Sequence, residues 1–178
     1  MPDHALELSF APAGEAAVIA QWQALREAGI PSQADHRSMT NAPHLTLVAA
    51  SPVPPATRDL ARELVLPLLP VTLVVRGLVM LGQGPRVTLA HLVEPPVAVA
   101  EATARLRGSV PELRHPVWTP HITLARRVPR RHLPSALGIL AEHPLTSVTA
   151  DRLRWWDPDL DLVETVTAAE PSPGIGHP

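Results

Sequence analysis

Two short runs carry side chains that can move protons and hold a charged group. One is Pro43-His44-Leu45-Thr46-Leu47, the other Pro120-His121-Ile122-Thr123-Leu124. In an extended chain alternate side chains share a face. His44 and Thr46 then point one way and Leu45 and Leu47 the other, and His121 and Thr123 repeat this with Ile122 and Leu124 behind them. An imidazole titrates near pH 6.5, so around neutrality one ring can be uncharged while the other is protonated. One removes a proton from an attacking oxygen, and the other donates a proton to a leaving oxygen. The two hydroxyls can hold the non-bridging oxygens of a phosphate as charge builds. A lone His-x-Thr matches often by accident. Two copies that share the flanking proline and the apolar backing, 77 residues apart in a chain of 178, form a far more specific signal.

The elements that must position these groups follow from periodicity and breakers. Residues 5–11 alternate like a strand. Residues 14–28 offer Val18, Trp22 and Leu25 at helical spacing, with Gly29 as the stop. Residues 44–50 alternate again, and Pro54-Pro55 opens a helix carrying Leu60 and Leu64. Two β-rich runs, 71–81 and 86–94, flank Gly82-Gln83-Gly84-Pro85, a hairpin signal. A helix over 96–107 precedes a strand over 121–126. A helix over 131–142 with Leu133, Leu137 and Leu140 on one side follows, then strands near 146–156 and 160–168 turned by Asp157-Pro158-Asp159. The order strand–helix–strand–helix–strand, repeated, predicts a mixed α+β domain rather than a parallel doubly wound sheet. One domain over 1–170 is expected, with a disordered tail over 171–178.

Composition excludes much else. There is no cysteine, so no disulfide, thiolate metal site or cysteine nucleophile. All fifteen basic residues are arginine, which removes Schiff-base chemistry, a P-loop lysine and a lysyl–nucleotide intermediate. Tyrosine is absent too. A net charge of −2 means that any polyanion site is local. No secretory signal or membrane-length apolar run is found, so a cytoplasmic protein with no membrane association is expected.

Secondary candidates have competing readings. Arg126 suits a phosphate, yet strict alternation puts it on the face opposite His121 unless the strand ends or twists at Ala125. Arg127, Arg130, Arg131 and His132 form a basic run that either guides an RNA backbone or is a solvated loop entering a helix. Trp118 is a candidate for stacking on a base or for anchoring its loop in the core. Trp155 and Trp156 are adjacent and point to opposite faces, so at most one reaches a ligand, and Trp22 belongs to the core. Asp157, Asp159 and Asp161 lack the glycine and distal glutamate of a calcium loop and read as a turn. The other histidines lack zinc-ligand spacing. No metal and no cofactor are expected.

At the two motifs the chain resembles the 2H phosphoesterase superfamily, in particular its 2′-5′ RNA ligase-like and RNA 2′,3′-cyclic phosphodiesterase branch. Trp118-Thr119-Pro120-His121-Ile122-Thr123-Leu124-Ala125-Arg126 is similar to that family's second motif, including the trailing arginine. Residues 5–29 with Pro43–Leu47 are similar to the first lobe of its bacterial members. The resemblance implies two pseudo-symmetric lobes of antiparallel sheet with outer helices around a central cleft. It also implies metal-independent opening of a 2′,3′-cyclic phosphate to a 2′-phosphate at an RNA terminus or on a small nucleotide, with reversible 2′-5′ ligation in some members. By the same analogy His121 activates water, His44 protonates the departing 3′-oxygen, and Arg126 joins Thr46 and Thr123 on the phosphate. Without lysine, joining through a lysyl adenylate is excluded, so the energy for any ligation comes from the strained cyclic phosphate. Val48-Ala49-Ala50-Ser51 replaces the apolar or aromatic run that many members carry after the first motif, so base stacking there must come from elsewhere. A monomer with no protein partner is expected. The rival readings are a non-catalytic RNA or nucleotide clamp, and hydrolysis of a cyclic phosphate on a non-RNA nucleotide.

Overall fold

The computed structural model describes residues 3–36, 41–113 and 115–167; the expected tail, 171–178, lies outside the described residues. Among the described residues there are seven strands, β1 (His4–Phe10), β2 (His44–Ala50), β3 (Val71–Leu81), β4 (Arg86–Glu94), β5 (His121–Pro129), β6 (Ser147–Asp157) and β7 (Leu162–Thr165), and four α-helices. The helices are α1 (Pro12–Glu27), α2 (Pro55–Leu64), α3 (Val97–Gly108) and α4 (Leu133–Ala141). None is long and apolar enough to cross a membrane among the described residues.

Every strand pairing is antiparallel, and the sheet order is β2-β1-β6-β3-β4-β5, with β7 added to β6. That order is unchanged when β1, β2 and β3 are exchanged with β4, β5 and β6. The chain is therefore one β-α-β-α-β unit used twice, and each unit lends its third strand to the other lobe. β3 and β6 pair only over Val71–Val74 and Ser147–Ala150 before turning to different neighbours. The sheet consequently splays into two lobes, and its end strands, β2 and β5, curl back to within 8 Å of each other.

Local chemistry sets the boundaries. Proline at the first helical position opens α1. Its end is a Schellman turn in which Gly29 N–H donates to Arg26 and Ile30 N–H to Leu25, with Gly29 at φ +70°. Val18, Trp22 and Leu25 are buried as the helical spacing predicts. In α4 the inward stripe is Ala136 and Leu140, and Leu137, expected beside them, is 45% exposed. The inward stripe faces α1, and Leu137 is left on the flank.

The core unites both lobes, with Leu6, Leu8 and Phe10 from β1 and Leu45, Leu47, Ile122 and Leu124 from the motif strands, all fully buried. Burying one such side chain contributes about 1.5–3 kcal/mol. A one-residue slip of β2 or β5 would expose two of them and bury a histidine and a threonine instead. Packing alone therefore holds both motifs on the solvent side.

Candidate active site

β2 and β5 build matching halves. In each, the histidine Nδ1 lies 2.7 Å from the carbonyl oxygen two residues upstream, Ala42 for His44 and Thr119 for His121. That contact places a proton on Nδ1 and leaves Nε2 as the nitrogen available for chemistry. Each strand is a sheet edge, and an indole satisfies the carbonyl of each motif threonine. Trp118 donates to Thr46 and Trp22 to Thr123, each at 3.0 Å. Among the described residues neither threonine hydroxyl has a hydrogen-bond partner within the protein.

A bulge follows each threonine at the same place. Glu7 opposes Thr46 and Leu6 opposes Val48, so Leu47 is the extra residue. Ala90 opposes Thr123 and Leu89 opposes Ala125, so Leu124 is the extra one. Both extra residues and their successors are buried. The bulge resets the alternation, so Ala49 and Arg126, equivalent positions in the two lobes, both return to the cleft. Strict alternation placed Arg126 on the far face; the bulge is what brings it round. A second shift follows, with Arg127 in the left-handed region at φ +58°, a strained conformation of the kind that collects at functional sites.

The cleft encloses about 690 Å³ and is lined by His44, Thr46, Glu7, Arg154, Arg126 and Trp156, among others. His121 and Thr123 stand outside this lining, on β5. Burial first, and then positive charge on His44, Arg126 and His115, hold the His121 imidazole below its ordinary pKa, against the opposing bond to Thr119. His44, His121 and Arg126 thus share one electrostatic neighbourhood. His121 is tuned toward the neutral, proton-accepting form.

His44 sits differently. Its Nε2 is 3.3 Å from Glu7 Oε1. Glu7 Oε2 accepts from Arg154 Nε at 2.8 Å, and Arg154 Nη2 reaches the Ala42 carbonyl at 3.4 Å, the same oxygen that faces His44 Nδ1. Glu7 and Arg154 are both buried. With a proton on each nitrogen, the ring meets an acceptor on both sides. Sequence reasoning missed these two residues, whose meeting depends on β1 and β6 becoming neighbours.

Other candidates find their places. Trp118 is half-buried against the core and donates its indole N–H to the Thr46 carbonyl, so it anchors β2. Trp156 lines the cleft, whereas Trp155 turns inward, stacked on His4 at 5.3 Å with Arg58 4.6 Å over its ring. The basic run divides: Arg127 joins the cleft, as does Arg86 from β4, while Arg130 is tied to the Gly82 and Gly84 carbonyls of the β3–β4 hairpin. Asp157 Oδ1 accepts the Asp159 and Leu160 N–H groups, as a turn requires. His4 Nε2 lies 3.4 Å from Asp157 and from Asp159, a meeting that spacing did not reveal.

No curated protein sequence matches the chain. Among solved structures it is similar to a crystal structure of a phosphoesterase, with 17% identity, 93% of this chain and 95% of that one covered, and a TM-score of 0.47. A family model for the 2′-5′ RNA ligase superfamily matches residues 14–162. That stretch contains both His-x-Thr motifs and all four helices bar the first two residues of α1. Most of the chain is accounted for by this match, and the protein belongs to the 2′-5′ RNA ligase superfamily, the 2H phosphoesterases.

Proposed function

We propose that this protein is a 2′,3′-cyclic phosphodiesterase acting on RNA ends or small nucleotides, with no metal in the reaction. The observation that carries the reading is the unequal pair of histidines. His121 is biased toward its neutral form by burial and by facing positive charge, whereas His44 faces a carboxylate. One is suited to accept a proton and the other to donate one.

In the reaction, His121 Nε2 takes a proton from water as the water oxygen bonds to phosphorus. The bond from phosphorus to the 3′-oxygen breaks, and His44 Nε2 gives that oxygen its proton. The products are a 2′-phosphate and a free 3′-hydroxyl, and solvent exchange restores both rings. Thr46, Thr123 and Arg126 stabilise the non-bridging oxygens. Run in the same direction with a 5′-hydroxyl in place of water, the same steps join RNA ends: the 5′-oxygen bonds to phosphorus, the bond to the 3′-oxygen breaks, and a 2′-5′ linkage forms, driven by relief of the strained ring.

The test is incubation with a nucleoside 2′,3′-cyclic phosphate in excess EDTA. Turnover with a bell-shaped pH profile, lost in His44→Ala and in His121→Ala separately, is the expected result. Tight binding without product would identify a clamp instead, and dependence on added divalent cation would overturn the mechanism.

A further inference from the structure

Taking the proposed reaction as its basis, we infer that Glu7 and Arg154 are positioning residues that keep the proton on His44 and so divide the acid and base roles between two otherwise matching motifs. Register makes the argument. Across the first lobe, Thr46, Glu7 and Arg154 occupy directly paired positions on β2, β1 and β6. The corresponding row in the second lobe is Thr123, Ala90 and Val79 on β5, β4 and β3. The same architecture thus folds with an apolar pair where the first lobe buries a carboxylate and a guanidinium.

A buried ion pair seldom stabilises a protein relative to well-packed apolar residues, because desolvating two charges costs several kcal/mol. The second lobe shows that this fold does without one. The pair therefore stands where a function, rather than folding, needs it. Its contacts identify that function. Arg154 fixes both sides of the His44 ring at once, holding Glu7 Oε2 and sharing the Ala42 carbonyl with Nδ1. Glu7 Oε1 faces Nε2, the nitrogen that must carry the transferable proton. The guanidinium also offsets the carboxylate charge, so an anionic phosphate entering beside Thr46 meets no net negative charge from this pair. Among the described residues, the charged groups facing His44 are Glu7 from β1, Arg154 from β6 and His121 from β5, with Arg126 lining the same cleft. Among the described residues His121 has no carboxylate partner.

The test uses Glu7→Gln and a double variant, Glu7→Ala with Arg154→Val, which copies the apolar row of the second lobe and should fold. In both, kcat for a nucleoside 2′,3′-cyclic phosphate should fall about a hundredfold, the lower range of a general acid's contribution, with KM within about threefold of the parent. The alkaline limb of the pH–rate profile should move to lower pH while the acidic limb stays. Long-range 1H–15N spectra of histidine-labelled protein should show His44 losing its Nε2 proton at lower pH than in the parent. An unmoved alkaline limb and an unmoved His44 titration in both variants would overturn the inference. Absence of turnover by the parent would instead sink the proposed reaction, and the spectra alone would then decide the role of Glu7.

Discussion

Trp118 and Thr46, on segments separated by 72 residues, are joined by a 3.0 Å hydrogen bond from the indole N–H to the threonine carbonyl. β2 is a sheet edge, so this carbonyl has no strand partner on that side, and an edge left with free backbone groups frays or pairs elsewhere. The indole closes it from the loop that leads into the other motif. Trp22 does the same for Thr123 from α1. Each motif is thereby held by an aromatic residue outside its own strand.

Replacing Trp118 by phenylalanine keeps most of the packing and removes the donor. The expected cost is about 1 kcal/mol, a fall of roughly 2–4 °C in Tm by calorimetry for a chain of this size. Because the indole is committed to the Thr46 carbonyl, KM for a cyclic nucleotide should hold in Trp118→Phe and in Trp118→Leu alike. A rise in KM confined to the leucine variant would restore Trp118 to a stacking role.

His121 makes a second prediction through charge. In the proposed reaction protonated His121 cannot act as the base, so activity should fall on the acid side of the profile as pH drops through its pKa. That pKa is depressed by burial and, in smaller part, by positive charge on His44, Arg126 and His115. His115 is exposed, and only its backbone carbonyl is used, by Arg107. His115→Asn should therefore move the acidic limb of kcat/KM to higher pH and leave the plateau unchanged. A limb that stays in place would show that His115 is too far or too screened to matter.

Much of this arrangement was legible in the chain. The bounds of β2, β3 and β4 coincide with the runs read from alternation, 44–50, 71–81 and 86–94. The glycine that stops α1 and the hairpin at Gly82–Pro85 lie where breakers place them. β5 runs three residues past the expected 126 because its bulges carry the strand on to Pro129. Those bulges had a signal, two consecutive apolar residues after each threonine, Leu47-Val48 and Leu124-Ala125, which period-two reading discards as noise.

The supports of the site were less accessible. Glu7 reads as the polar half of an alternating strand, and Arg154 as one more charge in a late strand. They meet because β6 returns 147 residues later to pair with β1. No local pattern encodes that neighbour relation; it comes from the exchange of third strands between the lobes. His91 was invisible for a similar reason, since its partner Gln21 lies on a helix packed from the other half of the chain.

Arg126 yields a third prediction. Removing one preorganised donor to a developing oxyanion costs about 10²–10³ in kcat, so if Arg126 holds the phosphate as proposed, Arg126→Met should lose activity in that range. Arg126→Lys should recover little, because an ammonium cannot present the guanidinium's paired donors. Arg127→Met should spare kcat on a mononucleotide and instead flatten the salt dependence of binding to an oligonucleotide, as expected when a phosphate contact is lost. Equal losses of kcat in the Arg126 and Arg127 variants would mean that the bulge does not select between them.

The buried His91 gives a prediction about stability rather than catalysis. Gln21 Nε2 donates to the His143 carbonyl, so its Oε1 must accept, which places a proton on His91 Nε2 at 2.8 Å. Burial lowers its pKa to about 4, below the ordinary value of about 6.5 that it regains on unfolding. The unfolded chain therefore binds more protons between these values, and linkage requires stability to fall as pH drops. The contribution is fully present above about pH 6.5 and lost progressively toward pH 4, by on the order of 3 kcal/mol. His91→Asn keeps a donor for Gln21 without titrating in this window. Urea unfolding at pH 7 and pH 4.5 should show the variant less stable than the parent at the higher pH and losing less on acidification. Parallel losses in the two proteins would assign the acid sensitivity to other groups.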